Sequence, residues 1–186
     1  GTPIELIVET QASAAILDIV ELSAEAWNEI GLKTSVKTMT RDIYWPRATG
    51  NEVMIATWGT DRGLVPMVDP IYQFPFDERS WMAPSFGIWY KSGGELGEEP
   101  TEEFLQAMDL YDQYRASVDP DEQLQLGKDL VRLATEQTWV IQTVGQAPAL
   151  VVIKDDFKNV IEDQSFVADW IIMAPGTQDP SHYYFD

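Results

Sequence analysis

The sequence predicts an α/β domain with a mixed, mostly parallel β-sheet flanked by helices, and with a long ordered aromatic loop. In the first third of the chain, short β-branched segments alternate with amphipathic helical segments, an order typical of parallel sheets. In the second half, two helices carry recognisable start signals. Residues 57–100 lie between these parts and show neither helical nor strand periodicity, yet they are too aromatic for a disordered linker.

The spacing of apolar residues predicts the first strand and the first helix. Residues 4–8 form a short apolar run rich in β-branched side chains, which is typical of a strand. Residues 12–30 place their apolar side chains on one helical stripe and most of their carboxylates off it. Gly31 follows where a residue in the left-handed conformation would end that helix.

A second strand, a short helix and a third strand follow. Residues 33–39 alternate with strand periodicity. Thr40 is a suitable cap for a brief helix, which we expect Pro46 to interrupt. Residues 52–58 are apolar enough to predict a third strand that is buried on both faces.

The second half of the chain predicts two helices and then two strands. Pro100, followed by two glutamates, is a sound first turn for one helix. The second helix has a clearer start, with Asp119 as N-cap, a proline after it and a glutamate at the third position. Residues 139–144 and 149–153 predict strands around a turn, and the sequence ADWIIMA near the C-terminus is also strand-like.

The composition excludes several classes of function. The chain has 186 residues and a formal net charge of -19, a surface that repels phosphate backbones and anionic lipid. No apolar run approaches the ~20 residues that cross a bilayer. The absence of cysteine excludes disulfides, thiolate metal sites and cysteine nucleophiles. The single histidine, His182, offers no catalytic triad, and no metal or cofactor motif occurs.

The aromatic loop predicts a ligand-binding surface. Flat aromatic rings beside carboxylates suit the capture of a polar organic ligand such as a peptide or an oligosaccharide. The candidate ligand-binding residues are Asp61, Trp58, Trp81, Trp89 and Tyr90. The alternative is that these rings only hold a long loop against the core.

Asp61 is the strongest single candidate because it follows the third predicted strand, and ligands of open α/β sheets gather beyond the carboxyl ends of strands. Its carboxylate could pair with an ammonium group or accept hydrogen bonds from sugar hydroxyls, or it could merely cap a turn. Paired carboxylates also leave open a carbohydrate-active hydrolase that uses Asp61 with Asp69 or Asp77. A third alternative is a purely structural interaction domain.

Several segments in the same order resemble a known family. They are AWNEIGLKTSVKTMT, TWGTD, the helix-to-strand stretch VDPDEQLQLGKDLVRLATEQTWVIQTVG, and ALVVIKDDFKNV. The residues from Trp81 to Pro100, with Trp-Tyr, Gly-Gly and Gly-Glu-Glu-Pro, also follow one branch of this family. Together they resemble the C-terminal lobe of family 5 solute-binding proteins of ABC transporters, which bind peptides or oligosaccharides.

The resemblance implies a periplasmic-binding-protein-like lobe without enzymatic activity or a cofactor. Residues 1–165 would form the C-terminal lobe of a longer two-lobed protein, and residues 166–186 would return to pack on the missing N-terminal lobe. The parent protein would be periplasmic or otherwise extracytoplasmic, and peripheral to the membrane at most, through the transporter or a lipid anchor. Its partners would be a small-molecule ligand and the permease of an ABC importer, with no role for nucleic acid.

The resemblance also implies a role for Asp61, which matches the aspartate of the family's Trp-x-x-Asp motif. In peptide-binding members that aspartate pairs with the α-amino group of the ligand. Those members usually place Asp-Pro almost directly after it, whereas RGLVPMV intervenes here before Asp69 and Pro70. An oligosaccharide stacked on Trp58, Trp81 or Trp89 therefore stays open beside a peptide.

Overall fold

The computed structural model describes residues 4–59, 66–143, 152–160 and 180–186. The chain divides into two units. The first comprises Gly1–Gly59 and Pro70–Thr143, and the second comprises Thr60–Asp69 and Val144–Asp186. The sheet and the long helices belong to the first unit.

A three-stranded parallel sheet organises the first unit. The strands are β1 (Leu6–Gln11), β2 (Thr34–Met39) and β3 (Ile55–Ala56), in the order β2-β1-β3. Both neighbours of β1 run parallel to it. The predicted parallel sheet is therefore confirmed, and the carboxyl ends of the three strands meet at one edge.

The third strand is much shorter than the sequence predicts. β3 pairs with β1 through only two residues, Ile55 and Ala56, and Met54 is 59% exposed. The prediction of a strand buried on both faces is wrong. β3 has one partner in the described sheet, and an apolar run alone does not distinguish a central strand from such an edge strand.

Two helices connect the three strands. Helix α1 (Ala14–Glu29) ends before Gly31, whose φ of 90° confirms the predicted left-handed stop. Asn28 ties this end to β2, because its side chain donates to the carbonyl of Thr34 and accepts from the amide of the same residue, both at 2.9 Å.

Helix α2 (Arg41–Thr49) follows β2, and Thr40 holds the predicted N-cap position, although its side chain makes no capping hydrogen bond. Pro46 lies inside this helix and does not interrupt it, so that expectation is wrong. The proline removes one helical hydrogen bond, the one to the carbonyl of Asp42. Since Asp42 is exposed, water can satisfy that carbonyl and the helix continues to Thr49.

The aromatic loop contains a regular element that the sequence reading overlooked. Helix α3 (Pro84–Ser92) has proline at its start and Gly93, with a φ of 66°, at its end. Both are ordinary boundary signals of a helix. They were missed because the apolar residues of this short helix are nearly continuous and hide its period.

Helices α4 (Glu102–Ala116) and α5 (Pro120–Glu136) pack against each other and confirm both predicted helices. The buried residues of the two helices are Ala107, Met108, Tyr111, Gly127 and Leu130. The side chain of Asp119 accepts a hydrogen bond from the amide of Asp121 at 3.0 Å, as expected of an N-cap.

Replacing Asp119 with alanine is expected to lower the free energy of unfolding by about 1 kcal/mol, because the first turn of α5 loses its acceptor. The matched control is Asp119→Asn, whose side-chain oxygen can still accept that bond. This variant should lower the free energy of unfolding by only a few tenths of ~1 kcal/mol. Urea unfolding followed by circular dichroism measures both. Equal losses in the two variants would contradict this role.

The segment after α5 is not a strand where the structure describes it. Residues 139–143 are irregular, and Trp139 stacks on Phe104 of α4 with ring centroids 4.2 Å apart. The predicted strand over residues 139–144 is therefore wrong in its described part, since this aromatic contact replaces strand pairing. Residues 152–153 are not a strand either, and the rest of that prediction lies outside the described residues.

The second unit contains a short antiparallel pair that the sequence did not predict. Strand β4 (Phe157–Lys158) pairs with β5 (Tyr184–Phe185), and the ring of Phe157 lies 5.0 Å from that of Phe185. The segment ADWIIMA lies outside the described residues, and a boundary at residue 165 stays a prediction. Within the described ranges, no helix has the length and apolar character needed to cross a membrane.

A tryptophan cluster at the carboxyl edge of the sheet

The carboxyl edge of the parallel sheet brings together two segments that are rich in aromatic residues. β2 ends at Met39, and Arg41 begins helix α2. β3 ends at Ala56, and Trp58 follows it by two residues. This is the edge at which open α/β sheets bind their ligands.

Four aromatic rings form what we call the tryptophan cluster, which comprises Tyr44, Trp45, Trp58 and Trp81. Trp58 and Trp81 stack with centroids 4.7 Å apart and planes inclined by 19°. Trp45 meets both of them edge-on, at 5.3 Å in each case. Tyr44 lies nearly parallel to the same two rings, at 6.4 and 6.0 Å.

Tyr44 anchors this cluster to the end of β3. Its side chain is fully buried, and its hydroxyl donates to the carbonyl of Thr57 and accepts from the amide of Thr57, both at 2.7 Å. Burial raises the pKa of Tyr44 above its ordinary value, so the hydroxyl stays protonated as a donor. The hydroxyl of Thr57 in turn bonds that of Thr10 on β1, at 2.7 Å. The backbone next to Trp58 is therefore fixed.

Two polar groups belong to the same cluster. The guanidinium carbon of Arg41 lies 5.1 Å from the ring centroid of Trp58 and 5.6 Å from that of Trp45. The indole nitrogen of Trp81 is buried and has no hydrogen-bond partner among the described residues. The cluster therefore combines flat apolar faces with N–H donors, as sites for polar organic ligands do.

The structure separates the predicted aromatic residues into two groups. Trp58 and Trp81 stack in the tryptophan cluster, whereas Trp89 and Tyr90 lie on helix α3. The ring of Trp89 packs beside Gly94. Among the described residues, no ring contact joins Trp89 or Tyr90 to the tryptophan cluster. Asp61 lies outside the described residues.

Tyr90 belongs to a second aromatic group beside helix α4. Its ring lies 5.8 Å from that of Phe74 and 6.2 Å from that of Phe76, and its hydroxyl donates to the carboxylate of Asp112. Burial and the bond to Asp112 raise the pKa of Tyr90 far above its ordinary value. These contacts give Tyr90 a clear packing role.

Sequence reasoning missed Arg41, Tyr44 and Trp45. The signal was available, because these residues directly follow β2 in the same way that Trp58 follows β3. The rule that ligands gather beyond the carboxyl ends of strands points to the start of α2 after the second strand as it points to Trp58 after the third.

The carboxylate of Asp77, one of the acidic residues of the loop, is held within its own turn. The carboxylate of Asp77 is engaged by the backbone amide of Arg79 at 2.9 Å and by its guanidinium at 2.6 Å. Among the described residues, no group of three potential metal ligands comes together. The side chain of Asp77 therefore stabilises the turn in which it lies.

Comparison with known proteins bears on the fold. No protein-family model matches the sequence, and no curated protein matches it significantly. A solved structure described as the oligopeptide-binding protein OppA matches with a TM-score of 0.65 and 22% sequence identity. The chain shares that fold. The match confirms the predicted fold class, a mixed α/β arrangement with a parallel sheet and flanking helices, like that of a solute-binding protein.

The extent of this match is unequal in the two proteins. It covers 75% of this chain but only 24% of OppA, so the chain spans about a quarter of the length of that structure. At this level of identity the likeness concerns the fold. OppA is a binding protein by its name.

Proposed function

We propose that this chain is the C-terminal lobe of an extracytoplasmic solute receptor that binds a peptide or an oligosaccharide and delivers it to the permease of an ABC importer. The observation that carries the proposal is the tryptophan cluster, which lies at the carboxyl edge of the parallel sheet in a fold shared with an oligopeptide-binding protein. In this proposal the chain binds its ligand without turnover and uses no cofactor.

Trp58 and Trp81 are proposed to form the wall of the ligand site. Aromatic contacts of this kind contribute roughly 0.5–1.5 kcal/mol each, so tight capture needs several rings. Asp61 follows Trp58 by three residues and is proposed to bind an ammonium group or sugar hydroxyls of the ligand. Trp89 and Tyr90 are proposed as further contacts from helix α3.

The proposed receptor is completed by parts beyond this lobe. Residues 166–186 are proposed to return to the N-terminal lobe, and the two lobes close over the ligand. The proposed location is the periplasm or another extracytoplasmic space, with attachment to the membrane through the transporter or a lipid anchor. The coverage of about a quarter of OppA supports a lobe of a longer protein.

A tryptophan-fluorescence titration of the full-length protein that contains this chain tests the proposal. The panel holds di- to pentapeptides and cello-, malto- and galacto-oligosaccharides. Saturable quenching by one class is expected. Trp58→Ala should weaken binding about two- to tenfold, because the ligand loses one stacking surface. The matched control is Trp139→Ala, which removes a tryptophan stacked on Phe104 and should leave the affinity unchanged.

Asp61→Ala decides between the two ligand classes. Loss of peptide binding in this variant indicates a peptide receptor anchored by the carboxylate. Sugar binding that is only modestly weakened indicates an oligosaccharide receptor that relies on its tryptophans. If no member of the panel binds and Trp58→Ala and Trp139→Ala are indistinguishable, the receptor proposal fails.

A carbohydrate-active hydrolase with Asp61 and Asp69 or Asp77 is the alternative. It is less well supported because the carboxylate of Asp77 is held by Arg79. Chromogenic glycosides separate the two proposals. Turnover that Asp61→Asn abolishes would establish the hydrolase and exclude the receptor.

A further inference from the structure

Arg41 is a cation without a carboxylate partner among the described residues. Its side chain is exposed and lies over the rings of Trp58 and Trp45. Many other described cations pair with a carboxylate, as do Lys33, Lys37, Arg47, Arg79 and Arg132. Within the described ranges, Arg41 shares the lack of such a partner with Arg115, Lys128, Lys154 and Lys158, and what distinguishes it is its position over two tryptophan rings.

The contact with two tryptophan rings restrains the guanidinium without using its N–H groups. A guanidinium carries five N–H donors in a fixed fork that matches the two oxygens of a carboxylate. A fork held in place loses less conformational entropy when it binds such a group. Arg41 is therefore prepared for an anionic acceptor at the edge of the tryptophan cluster.

The indole nitrogen of Trp81 is an independent sign that the cluster lacks an acceptor. It is buried and unpartnered among the described residues, although buried donors are nearly always hydrogen-bonded. Its ring stacks on Trp58, the same ring that Arg41 covers. Among the described residues, the side chains that form this place, Arg41, Tyr44, Trp45, Trp58 and Trp81, include N–H donors.

We propose that Arg41 makes the tryptophan cluster a subsite for a ligand carboxylate, so that the receptor selects ligands carrying this group beside an apolar face or a sugar ring. This inference rests on the proposed function and adds the chemical class of the ligand to it. The carboxylate is that of a peptide or that of a uronic-acid sugar. The strong negative charge of the chain opposes an anion at long range, but at physiological salt that repulsion fades within about 8 Å. The local contact with Arg41 then determines whether the ligand carboxylate binds.

Matched ligand pairs that differ only in the carboxylate test this proposal on the full-length protein. One pair is trigalacturonate and galactotriose, and the other is trialanine and trialanine amide. Calorimetry at ~0.15 M salt should show, in at least one pair, that the acid binds roughly tenfold or more tightly than its neutral partner. The pair that shows the preference identifies the source of the carboxylate.

The variants then assign the preference to Arg41. Arg41→Gln should bring the ratio of the two affinities close to one, and Arg41→Lys should restore part of it, since it keeps the charge but loses the fork. The matched control is Arg115→Gln, which removes another exposed arginine placed over an aromatic ring, that of Tyr111 at 6.0 Å. This control should leave the ratio unchanged.

The possible failures are distinguishable. Equal affinities within both pairs, or a preference that survives Arg41→Gln, would overturn the carboxylate subsite while leaving the receptor proposal intact. Absence of saturable binding by all four compounds would overturn the carboxylate subsite, and the receptor proposal would fail with it only if no member of the full panel of peptides and oligosaccharides binds. A purely structural role of Arg41 would weaken acid and neutral ligand equally and would leave their ratio unchanged.

Discussion

Replacing Gly97 with alanine is expected to lower the free energy of unfolding by about 3 kcal/mol. The added methyl would lie 2.2 Å from the carbonyl oxygen of Ser85 and 2.7 Å from the amide nitrogen of Trp89, both backbone atoms of helix α3. The φ of 84° at Gly97 adds a conformational cost of about 1–2 kcal/mol for a residue with a Cβ. Crowding of a packed region typically costs about 1–3 kcal/mol more.

Gly93→Ala is the matched control because it separates these two costs. Gly93 also has a positive φ, 66°, but an added methyl there has no atom within 4 Å. The expected loss is about 1 kcal/mol and is purely conformational. Urea unfolding at unchanged m-value measures both variants. A loss in Gly97→Ala that is no larger than in Gly93→Ala would contradict the steric part of the argument.

The contact at Gly87 explains why the crowded glycines matter for the proposed site. An added methyl at Gly87 would lie 2.4 Å from the carbonyl oxygen of Asp77, so α3 rests directly on the backbone of that turn. The amide of Ser80 donates to the same carbonyl oxygen of Asp77, at 3.0 Å. Since Trp81 follows Ser80, the position of α3 determines where one ring of the tryptophan cluster lies.

The sequence predicted those parts of the fold that local signals specify. The stop at Gly31 and the cap at Asp119 are decided within a few residues, and both are confirmed. The length of β3 could not be predicted, because it depends on how far the chain pairs with β1. Helix α3 was not predicted, for a different reason. Its boundary signals are present at Pro84 and Gly93, but its nearly continuous apolar residues hide the helical periodicity.

The candidate site was predictable only in part. The position of Trp58 after a strand is a sequence feature, and it led to one side of the tryptophan cluster. Trp58 and Trp81 stack on each other although more than twenty positions separate them in the sequence, and no periodicity relates the two residues. The position of Arg41 over two tryptophan rings is likewise a tertiary property, because nothing in the sequence shows which side chains a given arginine meets.

Arg47→Met is expected to lower the free energy of unfolding by about 3 kcal/mol, because it leaves the carboxylate of Glu9 without its main partner. Glu9 lies on β1 and is only 5% exposed. Arg47 on α2 donates to it through Nε at 3.2 Å and through Nη2 at 3.1 Å. Lys37 remains nearby at 3.2 Å, but its side chain is largely exposed and supplies a single contact.

A double-mutant cycle with Glu9→Gln isolates this interaction from the packing of the arginine stem. Arg47→Met should cost about 2 kcal/mol less in the Glu9→Gln background, where no buried charge is left unpaired. The control is Arg132→Met, which breaks an exposed pair with Asp129 and should cost at most about 1 kcal/mol. Equal losses in both backgrounds would show that the ion pair contributes nothing.

The same ion pair connects stability to the proposed function. Arg47 lies on α2, the short helix that also carries Arg41, Tyr44 and Trp45, and its bond to Glu9 fixes that helix on the sheet. If the tryptophan cluster binds the ligand, Arg47→Met should weaken binding although Arg47 is not among its side chains. Arg132→Met should leave the affinity unchanged. An unchanged affinity in Arg47→Met, measured where the variant is still folded, would show that α2 holds its place by other contacts.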